Sequence, residues 1–299
     1  MASDRLYASW TMDCEPIAEE VATGGPADWE LSERAMRGYV AALAARGQRV
    51  TLFVIPRVAE VQADVLRELG ERGAELAMHM HPQTVDYGID AHLGELPPES
   101  QRELLESGRD RLEAALGAAP RGFRPGCFSA SEATFGILVE LGFTHGSVSL
   151  PGRAMAERAA DWVGADPFGH WASATSPLAA GELPFLELPT AVDLRDVAGP
   201  EAVPGDARHL RLERPEIEQW GPDLIRRHLA RQVAEGRWLK SLVIMTHNTR
   251  EYGEDDEPAR RALEVVADAV EVQAAALGLT VTPATLAEVR ESVAEQAPG

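Results

Sequence analysis

Two cysteines, Cys14 and Cys127, occur in 299 residues, too few for a disulfide framework and suited to a reducing compartment. Basic residues are scarce too. Against 48 Asp and Glu stand 28 Lys and Arg, and the net charge of −20 repels a phosphate backbone or an anionic bilayer, so neither nucleic acid nor membrane is an expected partner. A negative surface also serves solubility alone. No apolar run approaches the roughly eighteen residues of a membrane span. The opening MASDRLYASWTMDCEP has no basic stretch followed by an apolar one, and the chain reads as cytoplasmic. The remaining composition, 45% hydrophobic and 25% charged, is that of a folded chain with a sizeable core.

Short apolar runs alternate with helix-length patterns. Strands are expected at 6–12, 50–55, 74–80, 122–124, 146–150, 184–189, 241–247 and 279–282. Helices are expected at 31–47, with Ser32 as N-cap, and at 97–117, 131–142, 222–236 and 257–278. Such alternation predicts an α/β fold with a mostly parallel sheet. No repeat or low-complexity linker divides the chain, so residues 1–299 read as one domain, with long rim loops at about 151–181 and 193–221.

The stretch ELAMHMHPQ (75–83) carries two histidines at the end of an expected strand. Asp13 and Glu15 follow the first strand, Arg124 ends GFR, and His247 ends SLVIMTH. Strand ends of a parallel barrel share one rim, where catalytic groups gather. Residues two apart on a strand project to one side, so Asp13 can aim with Glu15 and His79 with His81, while Met78 and Met80 face the helices. Two imidazoles and a carboxylate make a three-ligand set that leaves a position open on Zn²⁺ or a similar divalent cation. A carboxylate beside it can deprotonate water, and Asp13 is the candidate.

The order of these motifs resembles the polysaccharide deacetylase (NodB-homology, carbohydrate esterase family 4) superfamily. TMDCE (11–15) is similar to its first motif, TLFVIP (51–56) to its second strand, ELAMHMHPQ to the metal-histidine segment, GFRPGCFSAS (122–131) to the arginine-proline motif, and SLVIMTHN (241–248) to the motif ending in a histidine. ELGFTHGSVS (140–149) and FLELP (185–189) are similar to segments between them, so the resemblance covers roughly residues 5–250. It implies a distorted (β/α) barrel of seven to eight mostly parallel strands and metal-dependent hydrolysis of an amide C–N bond, above all N-deacetylation of an amino-sugar or sugar-containing metabolite. By position it implies Asp13 as base, Glu15 and His79 as metal ligands, Arg124 holding Asp13 ionised, His247 as acid, and a backbone N–H near Gly126 or Cys127 on the oxyanion.

The family's histidine spacing points to Gln83 as second ligand, whereas ligand chemistry points to His81; both stay open here. A non-catalytic binding protein on the same barrel and a cyclic amide or ureide hydrolase are the alternatives. Gln83, Asp86, Cys127 and Phe128 are candidate substrate contacts, Tyr87 and His92 share their loop, and His145 is expected to be structural. Asp166, His170 and Trp171 could shape a sugar cleft, and Asp193 or Asp196 could tune His247. Cys14 and Cys127 read as small buried thiols, with a Cys₂His₂ zinc site as the lesser option.

Overall fold

The computed structural model describes residues 4–21, 23–193, 195 and 207–297. Its sheet is built around β1 (Arg5–Cys14), whose one edge pairs in parallel with β10 (Lys240–His247), from Leu6 opposite Lys240 to Asp13 opposite His247. The other edge is shared. β11 (Thr280–Pro283) takes the first half of β1 and β2 (Val50–Val54) the second. Parallel pairing continues through β3 (Glu75–Met80), β4 (Gly122–Pro125), β5 (His145–Gly146) and β9 (Leu186–Glu187), and β8 (His170–Trp171) adds an antiparallel edge. Beyond β9, Thr190 forms a parallel bridge to Val243 of β10, which brings the two sides of the sheet together into the expected distorted barrel. Two short strands, β6 (Ala154–Met155) and β7 (Ala160–Asp161), form a hairpin inside the 151–181 loop.

Alternation along β1 sorts its side chains. Leu6, Ala8, Trp10, Met12 and Cys14 join the large apolar cluster under the helices, while Ser9, Thr11 and Asp13 are the buried polar members of the opposite face. β3 follows the same rule, with Met78 and Met80 in the helix-side cluster. Packing is tight there: a Cβ on Gly108 would sit 2.5 Å from the Met80 methyl. Cys14 therefore points away from the histidines, which removes the Cys₂His₂ option.

Several expected boundaries move for identifiable reasons. Helix α1 (Trp29–Ala45) is capped by Asp28, whose Oδ1 accepts from the Leu31 N–H at 2.7 Å, so Ser32 is not the N-cap; it is buried inside the helix and donates to Gln62. Between β2 and β3 lie two helices that were not anticipated, α2 (Pro56–Val61) and α3 (Ala63–Glu71), because a break at Gln62 leaves each too short to display a sustained period. Helix α4 (Pro98–Leu116) ends at Gly117, in the left-handed conformation with φ of +85°, as its sequence implies. After α5 (Thr134–Glu140), helix α6 (Ile217–Ala234) starts ahead of the expected 222 and carries Pro222 within it, and α7 (Pro258–Ala276) follows β10.

The strand expected over 146–150 pairs only at His145–Gly146. Val148 and Ser149 turn their N–H groups onto the Glu187 carboxyl (3.1 and 2.9 Å), and the Ser149 hydroxyl donates to it at 2.7 Å. Burial outweighs these donors and pushes Glu187 up to about 7. A raised carboxyl contributes stability that is present below its ordinary 4.5 and is lost as pH rises to about 7. Glu187→Gln is thus expected to match the wild type near pH 4 and to exceed it at pH 8 by at most about 3 kcal/mol in urea unfolding. The same pH dependence in both proteins would refute the assignment.

The far end of the barrel is closed by a final helix, α8 (Leu286–Ser292), also unanticipated. Its Leu286 and Ala287 N–H groups donate to Thr51 Oγ1 (3.1 Å) and Glu75 Oε2 (2.9 Å), and Glu75 Oε1 lies 2.6 Å from His145 Nε2. A Cβ on Gly122 would meet both members of that pair within 2.9 Å, so glycine is required there. His145 is structural, as expected.

Candidate active site

Six of the polar residues expected at strand ends converge inside one rim. Asp13 and Glu15 come from the end of β1, His79 from β3, His81 just beyond it, Arg124 from β4 and His247 from β10. Glu15 Oε1 lies 3.2 Å from His79 Nε2 and 3.1 Å from His81 Nε2, and the three ligand atoms fall within 4.8 Å of one another. His79 Nδ1 sits 2.8 Å from the Arg124 carbonyl; donation there leaves the Nε2 lone pair facing Glu15. A Cβ on Gly126 would lie 2.3 Å from the His81 ring, so the glycine makes room for that imidazole.

The donor set fits a divalent cation. Glu15 Oε2 is buried without a hydrogen-bond partner beside two imidazole nitrogens, the combination of neutral nitrogens and one carboxylate that a catalytic site presents. Gln83 does not enter the set: its amide nitrogen is 2.9 Å from His92 Nδ1.

Arg124 is fully buried and stacks over Phe53 (4.2 Å) and Phe128 (5.8 Å). Its Nη1 donates to Asp13 Oδ1 at 2.6 Å and to Thr11 Oγ1 at 2.9 Å. Burial favours the protonated acid at Asp13, yet the Arg124 charge, with His79 and His247, more than reverses this and holds the carboxyl below its usual range. Asp13 Oδ2 faces both ways, 3.9 Å from His79 Nε2 and 3.8 Å from His247 Nε2.

Behind His247 stands Glu213, which sequence reasoning missed. Its Oε1 accepts from the His247 N–H at 2.5 Å and lies 3.0 Å from Nδ1. The expectation had fallen on Asp193 or Asp196. Asp193 is instead held by Arg195 (2.7 Å) and Arg227 (3.2 Å), and Asp196 lies outside the described residues. Glu213 sits in RLERPE, where nothing but membership of the 193–221 rim segment could have pointed to it.

These groups open into a cleft of about 470 Å³ lined also by Gln83, His92, Cys127 and Phe128. The turn after β4 aims the last two. Cys127 and Phe128 have φ of +54° and +56°, left-handed values that cost a non-glycine residue about 1 kcal/mol or more. Asp86 does not reach the cleft: Arg111 holds it at 2.7 Å and also stacks on Tyr87. Asp90 lines the cleft in its place. Asp166, His170 and Trp171 do not line it either. Asp166 pairs with Arg237, His170 Nδ1 meets the Phe168 carbonyl, and Trp171 stacks on Trp238 and packs with Tyr7 and Leu286 around the plugged end.

Fold and centre together define a (β/α) barrel with a polar, cation-fitting cluster on its carboxyl rim. The polysaccharide deacetylase family model matches residues 26–146. The same architecture occurs in a putative polysaccharide deacetylase from Mycobacterium smegmatis (18% identity, 97% of this chain and 91% of that one, TM-score 0.58). It occurs in a probable polysaccharide deacetylase from Pseudomonas aeruginosa PAO1 (16% identity, 99% and 93% covered, TM-score 0.60) and in Puue allantoinase (16% identity, 99% and 92% covered, TM-score 0.61). No curated protein matches the sequence significantly. The chain is thus similar to polysaccharide deacetylases over residues 26–146 and shares the fold of these solved structures. No helix among the described residues is long and apolar enough to cross a membrane.

Proposed function

We propose that the protein is a metal-dependent hydrolase of an amide C–N bond that removes the acetyl group from an N-acetylated amino-sugar or sugar-containing metabolite. One observation carries the reading: Asp13 Oδ2 lies within 4 Å of both the Glu15–His79–His81 cluster and His247 Nε2. Glu15, His79 and His81 would hold the cation, Zn²⁺ by its ligand preference. Bound there, it supplies Lewis-acid polarisation of the acyl carbonyl and a more acidic water.

The chain's own residues divide the proton work. Asp13, kept ionised by Arg124, accepts a proton from the attacking water. His247 stands on the opposite side of Asp13 from His79 in role, and gives a proton to the departing nitrogen. Buried Arg124 and the aromatic faces of Phe53 and Phe128 fix Asp13 in place and exclude water behind it. A pure binding module has no need of a base held ionised opposite an imidazole with its own carboxylate.

The direct test is acetate release from N-acetylglucosamine and its oligomers by the zinc-loaded protein, with allantoin as the cyclic ureide arm. Turnover of allantoin alone would favour the ureide reading, and no turnover of either would favour a binding role.

Glu213 is proposed to position His247, since an acceptor at Nδ1 fixes which nitrogen faces Asp13. Glu213→Gln is expected to lower kcat by about 10- to 100-fold with KM within about twofold. Glu213→Asp should recover part of the loss. An equal fall in kcat and rise in KM would mark Glu213 as a substrate contact instead.

A further inference from the structure

The strained turn beside the cation cluster is held from outside. Cys127 and Phe128 follow one another with φ of +54° and +56°, and nothing intrinsic to a cysteine or a phenylalanine favours that conformation. Such a pair persists only where its surroundings fix it. Each carbonyl of the turn is taken. The Gly126 oxygen accepts from the Ser129 N–H at 3.0 Å, the Cys127 oxygen from Arg153 Nη1 at 3.0 Å, and the Phe128 oxygen from the Trp162 indole N–H at 2.8 Å. In a trans peptide the N–H points opposite to the carbonyl, so these three bonds also set the directions of the Cys127, Phe128 and Ser129 N–H groups.

The two outside donors come from one place. Arg153 and Trp162 flank the β6–β7 hairpin and meet across its neck, where the Trp162 N–H donates to the Arg153 carbonyl at 2.7 Å and the Gly152 N–H to the Trp162 carbonyl at 2.9 Å. A further tie runs from the Ala130 N–H to the Ala159 carbonyl at 3.0 Å. Trp162 is buried and Arg153 stacks on Phe128 at 5.2 Å, so the hairpin packs on the turn as well as bonding to it. On its other side the turn touches the cation cluster, since Gly126 lies against the His81 ring.

We infer that Arg153 and Trp162 are positioning residues, which hold the 126–129 turn in its left-handed form so that the Cys127 N–H meets the developing oxyanion of the acyl group. The oxyanion contact rests on the amide-hydrolase reading; the hold on the turn does not. A donor aimed in advance stabilises that charge without reorganising during the reaction, and misplacement by about 1 Å is costly. The hairpin therefore acts on the rate of the chemical step more than on substrate affinity.

Trp162→Phe tests this, since it deletes the indole N–H and keeps an aromatic ring. For acetate release from N-acetylglucosamine by the zinc-loaded variant, kcat is expected to fall about 10- to 100-fold, with KM within about twofold and bound zinc at the wild-type level. Arg153→Met, which keeps the stem and loses the donors, should act in the same direction, though Arg153 has a partner beyond those named and is the less clean probe. Adding Cys127→Gly to Trp162→Phe should recover about half or more of the loss on a logarithmic scale, because glycine takes positive φ without outside support. A second readout does not involve turnover. Cys127 is partly exposed and Cys14 fully buried, so iodoacetamide reports on the turn, and Cys127 is expected to be alkylated about fivefold or more faster in Trp162→Phe than in the wild type. Unchanged alkylation, kcat within about threefold of wild type, or a loss that Cys127→Gly leaves in place would overturn the inference. Failure of the hydrolase reading looks different: no acetate from the wild type, with Cys127 alkylation still accelerated in Trp162→Phe.

Discussion

Asp13→Asn is expected to lower kcat for acetate release by about 10³-fold while bound metal stays at the wild-type level, as measured by turnover and elemental analysis on the same preparation. Asparagine keeps the size of the side chain and an oxygen that can still accept from Arg124 at the 2.6 Å position. It cannot take a proton. The substitution also leaves a fully buried guanidinium without its counter-charge, a loss of about 3 kcal/mol or more in stability, so the thermal midpoint should fall as activity falls. Activity must therefore be read below the lowered midpoint. A variant that is folded, metal-loaded and within a factor of about three of wild type would remove Asp13 from the base role.

Glu15→Gln and His81→Ala are each expected to abolish tight binding of one zinc ion per chain, whereas Gln83→Ala retains it. The contrast settles which of His81 and Gln83 completes the set. Chelation of the wild type should stop turnover, and added zinc should restore it. The sign of the pH dependence follows from His79. Burial disfavours its charged form, but Asp13 and Glu15 reverse that and raise it above the ordinary imidazole range. In the metal-free protein a proton therefore takes the place of the cation, affinity weakens as pH falls, and zinc uptake at neutral pH releases protons into a weakly buffered solution. Zinc binding that is independent of pH, or equally tight in Glu15→Gln, would place the metal elsewhere.

The parts of this centre visible in the sequence are those that strand geometry fixes. Asp13, His79, Arg124 and His247 are legible because apolar alternation locates β1, β3, β4 and β10, and a parallel barrel puts their ends on one rim. Glu15 and His81 follow because residues two apart share a side. Residues delivered by loops carry no such period. Glu213, Arg153 and Asp90 reach the centre through turns whose course depends on contacts far along the chain, and Asp86, two residues beyond Thr84 in the same loop as Gln83, turns outward to Arg111. Boundaries erred for the same reason. The Ser149 N–H that would have extended β5 is taken by the Glu187 side chain, a partner no local pattern reveals.

The plugged base of the barrel has a consequence for biosynthesis. β1 needs β11 for half of one edge, and the Thr51 and Glu75 side chains receive the N–H groups of α8 from 235 and 212 residues away. Among the described strands, β1 leaves the ribosome before all the others and yet waits for β11, which leaves after them. Until residues 280–292 emerge, β1 has an open edge and Glu75 lacks its donors, so a stalled or shortened nascent chain presents an unpaired strand at which chaperones or other unfolded chains can add.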